Sequence, residues 1–202
     1  RPKIFFGRPK NFLQRLALLD LSQNLVWILG IWILFTFNAG NDNDTVTFSG
    51  ELLNGTLDLG TGNDTTSFQD LGTSLVVGDS GTDSFDVNRD SETSSIKGGA
   101  GNDTITIDGK LISSSIWGNA DDDTITATGA ATNSFVYAGK QNDTITTSAT
   151  ITGGKIRGDK GRDVLNINGD LSGAIIAGGS EADDINIASA SATSSSIYGG
   201  KG

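Results

Sequence analysis

The sequence predicts an all-β fold, a parallel β-roll or β-solenoid of about eight coils with two short strands in each coil. Three observations predict it: an aspartate recurring at steps of 19 or 20 residues, alternating apolar positions on both sides of it, and glycines at fixed positions just before it. A fixed period of this size is typical of coils that stack on one another. The repeated aspartates are Asp44, Asp64, Asp83, Asp103, Asp123, Asp143, Asp163 and Asp183.

The first predicted strand follows each aspartate. Residues two and four positions after the aspartate are mostly apolar, which is the period of a strand with one face inward. The intervening outward positions are mostly threonine, a good strand former. The two inward rows are Val46, Thr66, Phe85, Ile105, Ile125, Ile145, Leu165, Ile185 and Phe48, Phe68, Val87, Ile107, Ala127, Thr147, Ile167, Ile187.

The second predicted strand precedes each aspartate. A branched or aromatic residue lies seven positions before it, and a small residue lies nine positions before most of the aspartates. A strand with one large and one small inward residue favours a thin, flattened solenoid, because only one of its two inward positions needs space for a bulky side chain. The rows are Phe37, Leu57, Val76, Ile96, Ile116, Val136, Ile156, Ile176, Ile197 and Gly55, Ser74, Ser94, Ser114, Ser134, Gly154, Ala174, Ser195.

Composition limits the chemistry that the chain can perform. The 202 residues include no Cys, His or Met. Disulfides, thiolate nucleophiles and the commonest general base are therefore excluded. Catalytic carboxylate pairs need unlike environments, whereas this chain repeats one environment, so we expect no enzymatic activity. The remaining cation ligands are oxygen atoms, which favour Ca²⁺ over softer metals.

Charge is distributed unevenly along the chain. Residues 1–37 contain five basic residues and one acidic residue, whereas residues 38–202 contain nine basic and 23 acidic residues. The acidic excess argues against nucleic acid as a partner. Stacked carboxylates about 4.8 Å apart repel one another, so the repeat region is expected to need a cation between its coils.

Residues 98–106 (GGAGNDTIT) resemble the calcium-binding RTX, or hemolysin-type, repeat, whose pattern is Gly-Gly-x-Gly-x-Asp-x-apolar-x. Close copies end at Asp64 and Asp83, and looser copies end at Asp44 and Asp143. The resemblance covers residues 38–202 as a variant with about 20 residues per coil. It implies a right-handed parallel β-roll in which several Ca²⁺ ions lie between successive loops. The implied ligands are the eight aspartates with Gly60, Gly62, Gly99, Gly101, Asn102, Asp42 and Asp121.

Two departures from the family pattern modify that expectation. The motif occurs once per coil rather than twice, so calcium is expected on one edge, with plain turns such as residues 108–110 opposite. In the later coils Arg162 precedes Asp163 and Glu181 replaces a glycine. There a Lys or Arg side chain is expected to neutralise the carboxylate in place of Ca²⁺.

Residues 1–37 form a basic and apolar N-terminal segment, and residues 38–202 form the repeat domain, which is expected to be truncated. The apolar run 25–37 has three interpretations: a signal-peptide core, a membrane anchor, or a cap on the open end of the solenoid. The cap is favoured because Phe37 falls in register with Leu57. Membrane contact is expected only if the run is an anchor. Residues 10–22 are interpreted as a short helix.

The predicted function is a calcium-binding structural module of a secreted or cell-surface protein such as an adhesin, surface-layer protein or toxin, with a cell-surface or matrix partner. Such a module folds when it meets extracellular calcium. The alternative is surface recognition, because the outward threonines resemble the Thr-x-Thr arrays of ice-binding β-solenoids. That ladder breaks at three coils: Ser84/Asp86, Val164/Asn166 and Asp184/Asn186.

Overall fold

The computed structural model describes residues 26–28, 32–33, 36–188 and 190–201, with the backbone alone for the first two stretches. Three parallel sheets of nine strands each run the length of the molecule. Each strand pairs with the equivalent strand of the next coil, as Thr104 does with Thr124 and Ile105 with Ile125. The predicted all-β parallel solenoid of about eight coils is therefore confirmed.

Sheets 1 and 3 contain the two predicted strands of each coil. Sheet 1 follows the aspartates, and its strands are Val26–Ile28, Thr45–Phe48, Thr65–Phe68, Ser84–Val87, Thr104–Ile107, Thr124–Ala127, Thr144–Thr147, Val164–Ile167 and Asp184–Ile187. Sheet 3 precedes them, and its strands are Thr36–Asn38, Thr56–Asp58, Leu75–Ser80, Ser95–Ala100, Ser115–Ala120, Phe135–Lys140, Lys155–Lys160, Ile175–Ser180 and Ser196–Tyr198.

Sheet 2 is formed by a third strand in each coil, whereas the sequence predicted two strands per coil. Its strands are too short to show an alternating pattern, since each has one inward residue, such as Leu111 or Leu171. A period of two cannot be recognised from a single apolar position. The strands are Trp32–Ile33, Glu51–Leu53, Asp70–Gly72, Ser91–Glu92, Leu111–Ile112, Ala131–Thr132, Ile151–Thr152, Leu171–Ser172 and Ala192–Thr193.

The core is one continuous apolar column inside the three sheets. The predicted inward rows are buried from the first coils to Leu165, Ile167 and Ile176, while Ile185 and Ile187 are partly buried. Rings and methyl groups stack along the column. Phe48 and Phe68, for example, lie with ring centroids 5.0 Å apart. Each coil thus buries its apolar face against its neighbours, as a solenoid requires.

Backbone pairing begins within the apolar N-terminal run. Phe37 pairs with Leu57, as the register of the two residues predicted. Val26 also pairs with Val46, and Trp32 with Leu52. The segment predicted as a helix, residues 10–22, lies outside the described residues. Among the residues that the structure describes, no helix is long and apolar enough to cross a membrane.

Candidate metal-binding edge

The glycine-rich turn, defined as the five residues before each repeated aspartate, joins sheet 3 to sheet 1. Its geometry requires a positive φ at the fourth and the second residue before the aspartate. Gly99 and Gly101 supply it in one coil, at +129° and +112°. Asn119 and Asp121 supply it in the next, at +86° and +77°. The Gly-x-Gly part of the motif is therefore a requirement for left-handed backbone, which glycine meets most easily.

The aspartate column, defined as the eight repeated aspartates, lies inside this edge rather than on its surface. Seven members, from Asp44 to Asp163, are at most 7% exposed. One oxygen of each carboxylate from Asp64 onward accepts the backbone N–H of the aspartate one coil earlier. Asp103 Oδ1, for example, accepts from Asp83 N at 2.8 Å. The seven bonds measure 2.6 to 3.0 Å.

The second carboxylate oxygen of the column has no hydrogen-bond partner. Oδ2 is buried and unpaired in all eight aspartates, within the described part of the chain. In five coils Oδ2 lies close to the glycine five residues before its aspartate. In the coil of Asp103, Oδ2 is close to the point that a Cβ atom added to Gly98 would occupy. The carbonyl oxygen of the next coil's equivalent residue, Gly118, lies 2.8 Å from that same point. An unpaired oxygen atom and a carbonyl oxygen therefore converge there.

Burial opposes ionisation along the column. Desolvation raises the pKa of Asp83 to about 7 and that of Asp143 to about 8, although the accepted N–H bond lowers each pKa. Neighbouring carboxylates raise both values further. The pKa values of Asp44 and Asp163 rise to about 6, also mainly through desolvation. The column is thus a line of coupled acids that favour protonation or a cation.

The asparagines beside the column accept hydrogen bonds from the backbone of adjacent coils. Asn102 Oδ1 accepts the N–H of Asp122 at 3.2 Å, and Asn43 Oδ1 accepts that of Asn63 at 2.8 Å. These exposed side chains tie the turns to one another, and Asn102, implied as a ligand by the family resemblance, is bound here to the backbone. They bind along the outside of the turn, while the column lies inside it.

The other predicted ligands occupy different places. Gly60 and Gly62 hold the two positive-φ positions of their turn, at +90° and +137°. Asp121 Oδ2 accepts the N–H of Gly101 at 3.0 Å, so this carboxylate is already bound to the backbone. Asp42 is exposed at a positive-φ position. The buried unpaired oxygen atoms belong to the column and not to Asp42 or Asp121.

The expectation that basic side chains neutralise the later carboxylates is wrong. Asp163 is fully buried and its Oδ2 has no partner in the described structure. Arg157 instead pairs with the surface carboxylate of Asp159 at 2.8 Å. Arg162 is exposed. The column runs inside the turn, where a long cationic side chain on the outer face does not reach it.

A serine row at another corner, between sheets 2 and 3, resembles the column without its charge. Ser114 Oγ accepts the N–H of Ser94 at 3.0 Å and donates to the carbonyl of Ile112 at 2.9 Å. The sequence analysis interpreted this row only as small packing residues. Its hydroxyl groups also satisfy backbone groups of the neighbouring coil, so this corner is complete with protein atoms alone.

The donor set of the glycine-rich edge fits a hard divalent cation. The unpaired carboxylate oxygens and converging carbonyls are the ligands that Ca²⁺ takes, and no thiolate or imidazole competes with them. Each turn contributes one column carboxylate. Among the described residues no cluster of three or more His, Cys, Asp or Glu side chains converges on one point. A cation at this edge would therefore depend on backbone carbonyls for most of its ligands.

Comparisons with known proteins identify the fold. The structure is similar to a hyperactive, Ca²⁺-dependent, β-helical antifreeze protein from an Antarctic bacterium, known from its X-ray crystal structure, with a TM-score of 0.75. The chain shares the β-helical fold. The two sequences are 22% identical, and the match covers 91% of this chain and 72% of the other. No family model matches the chain, and no curated protein matches its sequence.

Proposed function

We propose that this chain is a calcium-stabilised structural module built from a one-edged variant of the RTX repeat. The observation that carries the proposal is the row of eight buried, unpaired Oδ2 atoms in the aspartate column. A buried polar atom without a partner is costly, and a row of like charges multiplies that cost. Calcium bound at the glycine-rich turns would neutralise the carboxylates and take up their free oxygens.

The chain's own residues prepare the edge for that role. From Asp64 onward, Oδ1 of each carboxylate is fixed by the backbone N–H of the preceding coil, so the orientation of Oδ2 is set before any cation arrives. The small residue opposite, such as Gly98, leaves room for it. The calcium dependence of the structurally similar antifreeze protein supports this proposal.

The proposed role is non-catalytic and extracellular. A chain with 23 acidic and nine basic residues after position 37 resists compaction until its charge is neutralised. Calcium-dependent folding suits a module that stays loose inside the cell and folds outside it, where extracellular modules bind calcium with Kd values of about 10⁻⁴ to 10⁻³ M. We infer a scaffold or spacer in a secreted or cell-surface protein.

A matched pair of variants tests the proposal. Asp103→Asn keeps an oxygen acceptor for the N–H of Asp83 but removes the charge of the column. Asp108→Asn makes the same change at an exposed turn on another corner. The parent should gain β structure and melting temperature in millimolar Ca²⁺ and lose both in EDTA. Mg²⁺ should substitute poorly because it demands octahedral geometry.

We expect calcium titration to show weaker binding for Asp103→Asn and unchanged binding for Asp108→Asn. Loss at Asp103 should also destabilise neighbouring coils, because solenoid stability depends on adjacent interfaces. Equal melting curves in Ca²⁺ and EDTA would contradict the proposal. An equal loss of affinity in both variants would place calcium on more than one edge.

Ice binding is the second candidate, favoured by the outer face of sheet 1. Six threonines form two straight ranks there across three coils, with Thr104 paired to Thr124 and Thr124 to Thr144. All six are exposed or partly exposed, and the similar crystal structure is that of an antifreeze protein. Two ranks of hydroxyl and methyl groups at strand spacing provide a regular, flat surface.

Thermal hysteresis of the calcium-loaded chain tests this candidate. Thr126→Lys in the middle of the face should abolish any hysteresis, whereas Thr132→Lys, in sheet 2, should leave it unchanged. No hysteresis in the parent would remove the candidate and leave the calcium proposal unaffected.

A further inference from the structure

We propose that the outer face of sheet 3 carries a binding groove for an acidic polysaccharide. The groove has a volume of about 630 Å³, is open to solvent, and runs across the coils that contain residues 117–160. Its lining residues Asn119, Ala120, Gly139, Lys140, Asp159 and Lys160 belong to the glycine-rich turns, whereas the column aspartates used in the calcium proposal are buried inside those turns. Its lining includes Trp117, Tyr137, Lys140, Arg157, Asp159 and Lys160.

The lining is organised as a ladder along the solenoid axis. Lys97, Trp117, Tyr137 and Arg157 hold the same position in four successive coils. The Trp117 and Tyr137 rings are stacked with centroids 6.2 Å apart, and the Lys97 ammonium group lies 5.5 Å from the Trp117 ring. Phe135, which is 42% exposed, extends the stack beside Tyr137. The ladder is therefore aromatic in its middle with a cation at each end; Trp117, Tyr137 and Arg157 line the groove, whereas Lys97 and Phe135 lie beside it.

The flank of the groove is basic in an otherwise acidic molecule. After position 37 the chain has nine basic and 23 acidic residues. Residues 140–162 contain five of the basic residues but only two of the acidic ones. One of the two, Asp143, is buried in the column, and the other, Asp159, is paired with Arg157. Lys140 and Lys160 are exposed and adjacent in neighbouring coils. A linear polyanion meets a favourable field here and repulsion elsewhere.

The mixture of groups points to a sugar polymer. Trp and Tyr rings offer apolar surface with polar tips, and the ammonium groups of Lys140 and Lys160 offer positive charge for carboxylate or sulfate groups. Asn119 and Asp159 add a donor and acceptors for hydroxyl groups. The lining positions repeat once per coil, so consecutive units of an extended polymer meet side chains at a regular spacing. Uronate and sulfate sugars share the required negative charge.

Two other polyanions fit this face less well. A membrane needs apolar side chains that insert into it, whereas Trp117 and Tyr137 are only partly exposed and stack on each other. A nucleic acid duplex is wide enough to reach beyond residues 140–162, and the rest of the repeat region contains 21 acidic residues but only four basic ones. A single polysaccharide chain is narrow enough to stay on the basic strip.

Binding of the full chain, at fixed free Ca²⁺, to immobilised alginate and dextran sulfate tests the proposal, with neutral dextran as the reference polymer. We expect binding to at least one acidic polymer, weakened by salt, and none to neutral dextran. Lys160→Glu should weaken binding by about tenfold, the usual effect of losing one charge-assisted contact. Trp117→Ala should weaken it similarly, since aromatic anchors dominate such interfaces.

Two variants outside the groove serve as controls. Lys110→Glu makes the same charge change at an exposed site on another corner, and Tyr198→Ala removes an exposed ring from the same row of sheet 3. Both should bind like the parent. The proposal is overturned if neither acidic polymer binds, if Lys110→Glu weakens binding as much as Lys160→Glu, or if anionic vesicles or single-stranded DNA bind more tightly than both polymers.

Discussion

At the scale of single residues, two buried threonines stand out because their hydroxyl groups have no partner. Thr66 and Thr147 occupy inward positions of sheet 1 and are 0% and 2% exposed. Neither Oγ1 atom has a hydrogen-bond partner in the described structure. Ser114, by contrast, is equally buried and both donates and accepts. Burying an unpaired hydroxyl lowers stability, so these positions are weak points of the core.

We predict that Thr147→Val raises the free energy of unfolding by about 1 kcal/mol, because valine has the same shape and no polar atom to desolvate. Urea denaturation in saturating Ca²⁺ measures the change. The control is Thr146→Val on the outward face, where the effect should stay within about 0.5 kcal/mol. A lower stability for Thr147→Val would mean that the hydroxyl is satisfied in solution.

At the scale of the element, the first positive-φ position of the glycine-rich turn is occupied either by a short polar residue or by glycine. Asp79, Asn119 and Asp159 adopt +74°, +86° and +81° at its first such position. Gly99 adopts +129° at the equivalent position. Short polar residues tolerate the first range, whereas only glycine enters the second without strain. The turn therefore accepts two sequence solutions with slightly different backbones.

We predict that Gly99→Ala lowers the free energy of unfolding by about 2 kcal/mol, within the range expected for a strained backbone position. A Cβ there would also meet the backbone of Asp79 in the preceding coil. Thermal melting measures the loss. Gly99→Asn should recover part of the stability, because Asn119 shows that asparagine fits this turn.

Gly199→Ala is the matched control, because that glycine has open space around the added Cβ and is exposed. Its melting temperature should remain near that of the parent. If Gly99→Ala melted at the parental temperature, the turn would be relaxed enough to accept alanine, and the glycine requirement of the motif would not be conformational.

At the scale of the whole molecule, the aspartate column links stability to pH in the absence of metal. The folded pKa values of Asp83 and Asp143, about 7 and about 8, lie above the usual value near 3.8. The folded state therefore binds more protons than the unfolded state between about pH 4 and 8. Stability from these groups is complete below pH 4 and is lost as the pH rises through their folded pKa values.

We predict that the chain in EDTA melts at a higher temperature at pH 5 than at pH 8, and that saturating Ca²⁺ reduces or reverses this trend. Scanning calorimetry across that interval measures both dependences. Asp143→Asn should flatten the EDTA profile because it removes the group with the highest pKa, whereas the exposed Asp108→Asn should not. A melting temperature that rises with pH in EDTA would show that the column is neutralised without metal.

The inward rows and the turn motif could be predicted from the sequence because each depends on neighbours a few residues apart, and the period because one aspartate recurs at a nearly constant step. Ile105 and Ile107 follow the two-residue period of a strand, and Gly99 and Gly101 mark positive φ. The short strands of sheet 2 could not be predicted, since Leu111 alone carries no period. They form because sheets 1 and 3 bring equivalent residues of successive coils into register.

The sequence by itself determined that the chain is an acidic β-solenoid of stacked coils, and which aspartates line one edge of it. Only the tertiary structure decided how those aspartates are used. Stacking places Oδ1 on the backbone of the preceding coil and leaves Oδ2 buried without a partner. It also places Arg157 and Lys160 in a surface groove with Trp117 and Tyr137, away from the buried carboxylates of the column. Residues 20 or 40 positions apart meet only when the coils stack, so local pattern does not show which side chains become neighbours.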